Sequence, residues 1–537
     1  MEKMKSFVEL NLGFNDAINY RRRENKELLN RFFVKSPELD TLLLPSTYFL
    51  IGDKGTGKTA YSVFLSNNEY KNTISFINSI SETEYVKFIT LKKEKELTLS
   101  DYTSIWKVLL LLLFSKQIEK GEDIVSLIRN HKEFDSLKKA IDNFYMNAFS
   151  PEIKSAFNII ENSEGAVKLM IESTGVEASQ KKEMTYTKYS FQLNLLFLEE
   201  HFKRAFNKLK LMKNHLLFID GIDIRPRNIN YEDYLECVKG LANAIWELNN
   251  DYFANIKDSK GRMRVILLVR PDIFTQLGLQ NLNNKVADNS VLLDWQTTYP
   301  HYRSSSLFNL ADRILSAQQN TSYTLGECWD HYFPFKINPA GEEEDSFVSF
   351  LKLSMFRPRD IITLMKILQK HLSKNQDRQN EIVTQALFED SQIRADYSRY
   401  MLGEIKDYLE FYHSADDYDL FLQFFSFLNG LANFTYNDYL KAYNSFADYI
   451  EDNNINPPLM FESSDKFLQF LYDLNVISFI TRNVDGSTHL HSSFRVKNYS
   501  NVTPKVEAGV RYIIHPGLKK ALNLGKKRIQ KRVIKKK

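Results

Sequence analysis

Between Gly52 and Thr59 the chain reads G-D-K-G-T-G-K-T, and those residue types leave few folds open. Gly52, Gly55 and Gly57 let the backbone curl until successive N–H groups face one anion. Lys58 offers a point charge to the end of a phosphate chain, and the Thr59 hydroxyl is the kind of hard oxygen donor that Mg²⁺ takes. Before the loop, Tyr48-Phe49-Leu50-Ile51 is an apolar run short enough for a buried parallel strand. After it, Thr59 to Leu65 can open a helix whose positive N-terminal end adds to anion binding. The expectation is a phosphate cradle built from Gly52, Asp53, Lys54, Gly55, Thr56, Gly57, Lys58, Thr59 and Ala60, with ATP as ligand and Mg²⁺ beside Thr59.

A chain of 537 residues is too long for one core, so about three or four domains are expected. Its 43% apolar and 13% aromatic content supports packed interiors, and only 19 Gly and 13 Pro favour helix over an all-β architecture. Cys237 and Cys328 are the only cysteines. Two lone thiols make neither a disulfide framework nor a zinc site, and they suit a reducing cytoplasm. Met1 to Phe7 has no apolar core of signal-peptide length, and the longest aliphatic run, Val108 to Phe114, is too short to cross a bilayer. A soluble cytoplasmic protein with no membrane partner is expected. The net charge of +4 is unevenly spread. Lys519, Lys520, Lys526, Lys527, Arg528, Lys531, Arg532, Lys535, Lys536 and Lys537 follow one another with no acid between them, leaving a mildly acidic body behind a basic tail suited to a polyanion.

The second acidic motif, His215-Leu216-Leu217-Phe218-Ile219-Asp220, is an apolar strand ending in aspartate. It lies far beyond the reach of one βαβ repeat, so residues 95–205 read as a helical insertion, with helices through Trp106 and the leucine run and from Tyr189 to Leu211. Val265 to Val269 and Val291 to Asp294 read as further buried strands. Strands alternating with helices predict a doubly wound parallel α/β sheet of the P-loop NTPase type. Residues 1–40 form a charged helical segment, 41–345 the core, 346–415 a helical lid and 519–537 the tail. In 416–518, helices at Asp419–Leu428, Tyr436–Phe446 and Asp465–Leu474 precede strand-like runs at Val476–Thr481 and Leu490–Val496, joined at Asp485-Gly486. Three helices and a hairpin is the order of a winged helix.

Nucleotide hydrolysis needs a cradle, a metal, a group to orient water and a cation for the developing charge. Asp220, at a strand tip, is the expected Mg²⁺ ligand with Thr59. The residue after it is Gly221 where many P-loop ATPases carry glutamate, so Asp223 is assigned to water activation, the alternative being a turn or cap residue. Arg270, at the neighbouring strand tip, is assigned to the γ-phosphate, against an ordinary arginine before a proline turn. Arg359, with Arg357 near it, is the lid's candidate contact. Arg313 could act in trans in a homo-oligomer, although a helix-surface salt bridge explains it as well. His489 and His491 alternate on the wing, where solvent-facing rings are the simpler explanation than a metal.

Ile219-Asp220-Gly221-Ile222-Asp223 resembles the h-D-G-h-D motif of STAND and NACHT-type signalling ATPases, in which the second acid acts as base. Leu268-Val269-Arg270-Pro271 resembles their sensor segment, with Val269 in place of the usual hydroxyl residue. Phe356-Arg357-Pro358-Arg359-Asp360 is similar to the lid motif of KAP-type P-loop ATPases, whose membrane helices have no counterpart here. With the C-terminal layout, the chain resembles bacterial ATPases on the AAA+/STAND/KAP border, a group that recurs in phage-defence loci. The resemblance implies an ATP-dependent switch that engages DNA, through the winged helix and basic tail, or a partner protein. The alternative is a nucleotide-holding scaffold with negligible turnover that docks a toxic effector.

Overall fold

In a computed structural model of the chain, the described residues are 3–80, 99–121, 135–137, 188–223, 225, 229–279, 281–337, 343–374, 382–413, 415–482, 488–493, 507 and 509–525. Most of the insertion, the Asp485-Gly486 turn and the basic residues from Lys526 onward lie outside them. Two compact units form: Ala17–Lys26 with Lys35–Leu293, and Met1–Asp16 with Glu27–Val34 and Asp294–Lys537.

The first unit is a five-stranded, all-parallel sheet with helices, a mixed α/β fold. Its strands are β1 (Phe49–Ile51), β2 (Thr73–Ser79), β3 (Asn214–Asp220), β4 (Met263–Val269) and β5 (Ser290–Leu292), in the order β2-β3-β4-β1-β5. The runs Phe49–Ile51, Leu216–Ile219 and Val265–Val269 are almost wholly buried, as continuous apolar strands in a parallel sheet should be. β2 was not legible. Its inward residues include Thr73 and Ser75, while Ile74 and Phe76 are only half-buried, so the pattern inverts the one that announces a strand.

The helices named below are α1 (Lys58–Asn67), α2 (Leu99–Gly121), α3 (Lys188–Phe206), α4 (Tyr231–Glu247) and α5 (Pro271–Gln276). The chain runs from β1 across β4 and β3 to β2, then returns through β3 and β4 and passes β1 to reach β5. Right-handed crossovers in opposite directions lie on opposite faces of a sheet, which makes β1 the point of reversal. α2 and α4 pack together closely: a Cβ on Gly240 would sit 2.6 Å from the Tyr102 Cβ, and the Trp106 indole donates to the Cys237 carbonyl at 3.1 Å. Lys107 joins α2 to α3 and α4 through Glu199 at 3.3 Å and Glu247 at 3.1 Å.

The second unit contains α6 (Ser306–Ser316), α7 (Ser346–Leu353), α8 (Pro358–Lys374), α9 (Ser391–Tyr412), α10 (Ala415–Phe427), α11 (Tyr436–Asp452) and α12 (Ser464–Asp473). It also holds an antiparallel pair, β6 (Lys336–Ile337) and β7 (Glu344–Asp345), and a four-stranded antiparallel sheet, β10 (Thr488–His491), β9 (Ile477–Arg482), β11 (Arg511–Ile514) and β8 (Asn433–Thr435) in that order. The β9–β10 pairing overlaps the expected hairpin arms at Ile477–Thr481 and Leu490–His491, while residues 494–496 of the expected second arm lie outside the described residues; β8 and β11 carried no readable strand signal. Residues 294–345, placed by sequence with the sheet, cluster instead in this unit. The reason is aromatic: Phe308 on α6 packs edge-on to Phe347 at 5.0 Å, and Phe347 to Trp329 at 4.9 Å. The expected tail also begins later than Lys519, because Leu522 and Leu524 are buried and the Ala521 N–H donates to the Ser398 hydroxyl. No helix among the described residues is long and apolar enough to cross a membrane.

Phe424 on α10 is fully buried and packs edge-on to Phe467 at 4.8 Å and to Phe446 at 5.7 Å. Phe424→Ala should destabilise the second unit by about 3–5 kcal/mol. Urea unfolding followed by a probe in that unit measures it, and a loss under about 1 kcal/mol would contradict this packing.

Candidate functional site

The loop after β1 is shaped by backbone conformations that favour glycine. Gly55 and Gly57 have φ of +88° and +98°, and a Cβ on Gly52 would stand 2.5 Å from the Thr56 hydroxyl. Gly57 is the N-cap of α1 and has no side chain with which to cap the first amides of that helix. The Asp53 carbonyl accepts from the Thr56 N–H at 3.2 Å and the Thr56 hydroxyl at 2.8 Å, which closes the turn through Lys54 and Gly55. Lys58, Thr59 and Ala60 form the first turn of α1. The Lys58 ammonium donates to the Gly52 carbonyl at 2.8 Å and the Asp53 carbonyl at 3.3 Å.

Asp220 ends β3, and its carboxylate meets the loop directly. The Thr59 hydroxyl donates to Asp220 Oδ2 at 2.7 Å, and the Gly221 N–H donates to Oδ1 at 2.8 Å. Gly221 has φ of +91°, and a Cβ there would lie 2.5 Å from the Ile80 carbonyl oxygen. Position 221 is therefore closed to any side chain.

Burial dominates the electrostatics. It pulls the Lys58 ammonium below its usual pKa, against the attraction of Asp223 and Asp220. It pushes the Asp220 carboxyl up, helped by the like charge of Asp223 and opposed by the Thr59 hydrogen bond and Lys58. Both groups are thus driven toward neutrality, the signature of charges desolvated more strongly than they are paired. Asp223 is half-buried beside them, and among the described residues no donor bonds to its carboxylate. Lys58, Thr59, Asp220 and Asp223 thus come together, from two strands that are not neighbours in the sheet.

Arg270, just beyond β4, is also within electrostatic reach of Lys58. Its side chain is buried and held by Asp272, with Nε donating to Oδ1 at 3.0 Å and Nη2 to Oδ2. The i, i+2 spacing across Pro271, at the start of α5, was the available signal for this pair.

The lid arginines belong to the second unit. Arg357 is a buried strut: it donates to Asp360 through Nε at 2.9 Å and Nη2 at 2.8 Å, and Asp360 also accepts from the Met355 N–H and the Tyr400 hydroxyl. Burial alone would lower the Arg357 pKa, but Asp360 and its neighbours hold it above the usual value. Arg359 is more exposed and lies 3.5 Å from Glu404. Arg313 donates to the Arg31 carbonyl at 2.8 Å rather than to an acid. On β10, His491 stacks on Phe479 at 4.6 Å and bonds Thr481, with His489 edge-on to it. No group of three or more potential metal ligands (His, Cys, Asp or Glu) occurs among the described residues.

Comparison with protein-family models, curated proteins and solved structures yields no significant match to this chain.

The cluster can hold an anion between Lys58 and the amides of α1, and a hard cation between the Thr59 hydroxyl and Asp220. A raised native pKa means the folded chain binds this proton more tightly than the unfolded chain. Stability contributed through Asp220 therefore falls as pH rises above the ordinary value of 3.8. In denaturation curves without divalent metal, the stability difference between wild type and Asp220→Asn should shift against the wild type as pH rises from that value. A pH-independent difference would contradict the desolvated carboxylate.

Proposed function

We propose that the chain is a P-loop ATPase that uses Mg-ATP hydrolysis as a molecular switch. The observation that carries this reading is the Thr59–Asp220 hydrogen bond, which joins the glycine-rich loop to an acidic strand end with Lys58 beside it. The place also suits a ligand, since open parallel sheets bind at the carboxyl ends of strands where the crossover direction reverses. A fit for Mg²⁺ follows from the donor set: a buried carboxylate of raised pKa, with a second acid near it, is a pair whose repulsion a divalent cation relieves.

In this reading the loop amides and Lys58 hold the β- and γ-phosphates, and Thr59 and Asp220 hold the metal. Bound Mg²⁺ supplies neutralisation of phosphate charge and alignment of the γ-phosphoryl group. Asp223, whose charge acts on both Lys58 and Asp220, accepts the proton of the attacking water. Arg270 stands by to sense charge at the γ-phosphate, oriented by Asp272.

The second unit offers the output. α10, α11 and α12 followed by the β9–β10 pair support a winged-helix reading. The outward polar residues of α12 engage acids or are acids: Lys466 pairs with Glu462 at 2.6 Å, Gln469 with Asp473 at 2.9 Å, and Asp465 with the Tyr436 hydroxyl at 2.5 Å. That surface favours docking a protein over reading DNA, which leaves DNA to the basic residues from Lys526 onward.

Lys58→Ala should abolish nucleotide affinity. Asp223→Asn should keep affinity and lower turnover by about 10²- to 10⁴-fold. Equilibrium binding of a fluorescent ATP analogue and phosphate release with Mg²⁺ separate the two effects. Wild-type binding without turnover above Asp223→Asn would replace the switch with the nucleotide-holding scaffold.

A further inference from the structure

The position of Asp223 depends on how the turn after β3 is held. One end is fixed by Asp220, bonded to Thr59, and by Gly221, whose φ of +91° brings its α-carbon against the Ile80 backbone. The other end has a separate anchor. Ile222 is 1% exposed, and its carbonyl accepts a hydrogen bond from the hydroxyl of Tyr234, a fully buried residue one turn into α4. The start of α4 is itself fixed, because the Asn230 side chain accepts from the Asp233 N–H at 2.7 Å.

We infer that Tyr234 is a positioning residue for Asp223: its hydroxyl holds the Ile222 peptide so that the next carboxylate faces the Lys58–Asp220 pair. The inference rests on the ATPase reading and names a group which that reading does not require. The physical argument is local. Removing the hydroxyl leaves a buried carbonyl short of a donor, and the cheapest remedy is for the turn to move until water reaches it. A movement of about 1 Å at a proton acceptor can lower a rate about a hundredfold, while phosphate contacts made by the β1 loop are untouched. α4 also reaches the helix that follows β4, since the Tyr231 hydroxyl donates to Gln276 at the end of α5. Two tyrosines three residues apart on one helix thus bond the turn after β3 and the helix after β4.

Tyr234→Phe keeps the ring and deletes one oxygen, so it separates the hydroxyl's role from packing. The experiment measures kcat for ATP, the dissociation constant of a fluorescent ATP analogue, and the urea midpoint for wild type and variant, with Lys58→Ala as the binding-dead control. The expected result is a kcat lowered about tenfold or more, with affinity within about twofold of wild type and a cooperative unfolding transition retained. An unchanged kcat overturns the inference and leaves the ATPase reading standing. A variant that unfolds, or loses affinity along with kcat, also overturns it, because the hydroxyl is then a general support of the fold. A wild type that neither binds nor hydrolyses ATP overturns the ATPase reading itself, and the positioning role with it.

Discussion

One hydrogen bond organises the first unit: the Thr59 hydroxyl donating to Asp220 at 2.7 Å. It joins the helix after β1 to the end of β3, although β4 lies between those strands. Strands two places apart are roughly 10 Å from each other, too far for their own tips to touch. α1 bridges that gap because the connection leaving β1 travels toward β2 and so passes above β4. The site is therefore a consequence of strand order.

That arrangement costs stability, and the cost shows in the charges. Lys58 and Asp220 are opposite in sign and close, yet burial pushes both toward their neutral forms. A protein selected for stability alone would have little reason to keep a desolvated lysine beside two carboxylates. A site proposed to receive an anion and a cation has reason to keep both, since incoming charges would offset the desolvation.

The second unit shows the opposite use of charge. Arg357 is attractive in sequence because it stands beside a proline at a helix start, but its guanidinium is taken up by Asp360 in the first turn of α8. Asp360 in turn gathers Met355 and Tyr400, so the cluster is a closed structural knot. Buried charge persists where its partners are arranged around it, and here the partners lie within the unit.

Local chemistry was readable from the chain. The glycine spacing of Gly52–Thr59 and the apolar runs ending at Ile51, Asp220 and Val269 carry their meaning in adjacent residues. Short-range sterics and burial periodicity act over those same short distances. Elements with little hydrophobic contrast were not readable: β2 turns Thr73 and Ser75 inward, and β8 and β11 are only three and four residues long. Nor could sequence show that Gly221 is barred from bearing a side chain by Ile80, or that the Tyr234 hydroxyl meets the Ile222 carbonyl. The amino-acid sequence alone determined which segments could cradle a phosphate and which could form buried strands. Only the tertiary structure decided which of those segments meet, because strand order and helix crossing bring together residues that no local preference connects.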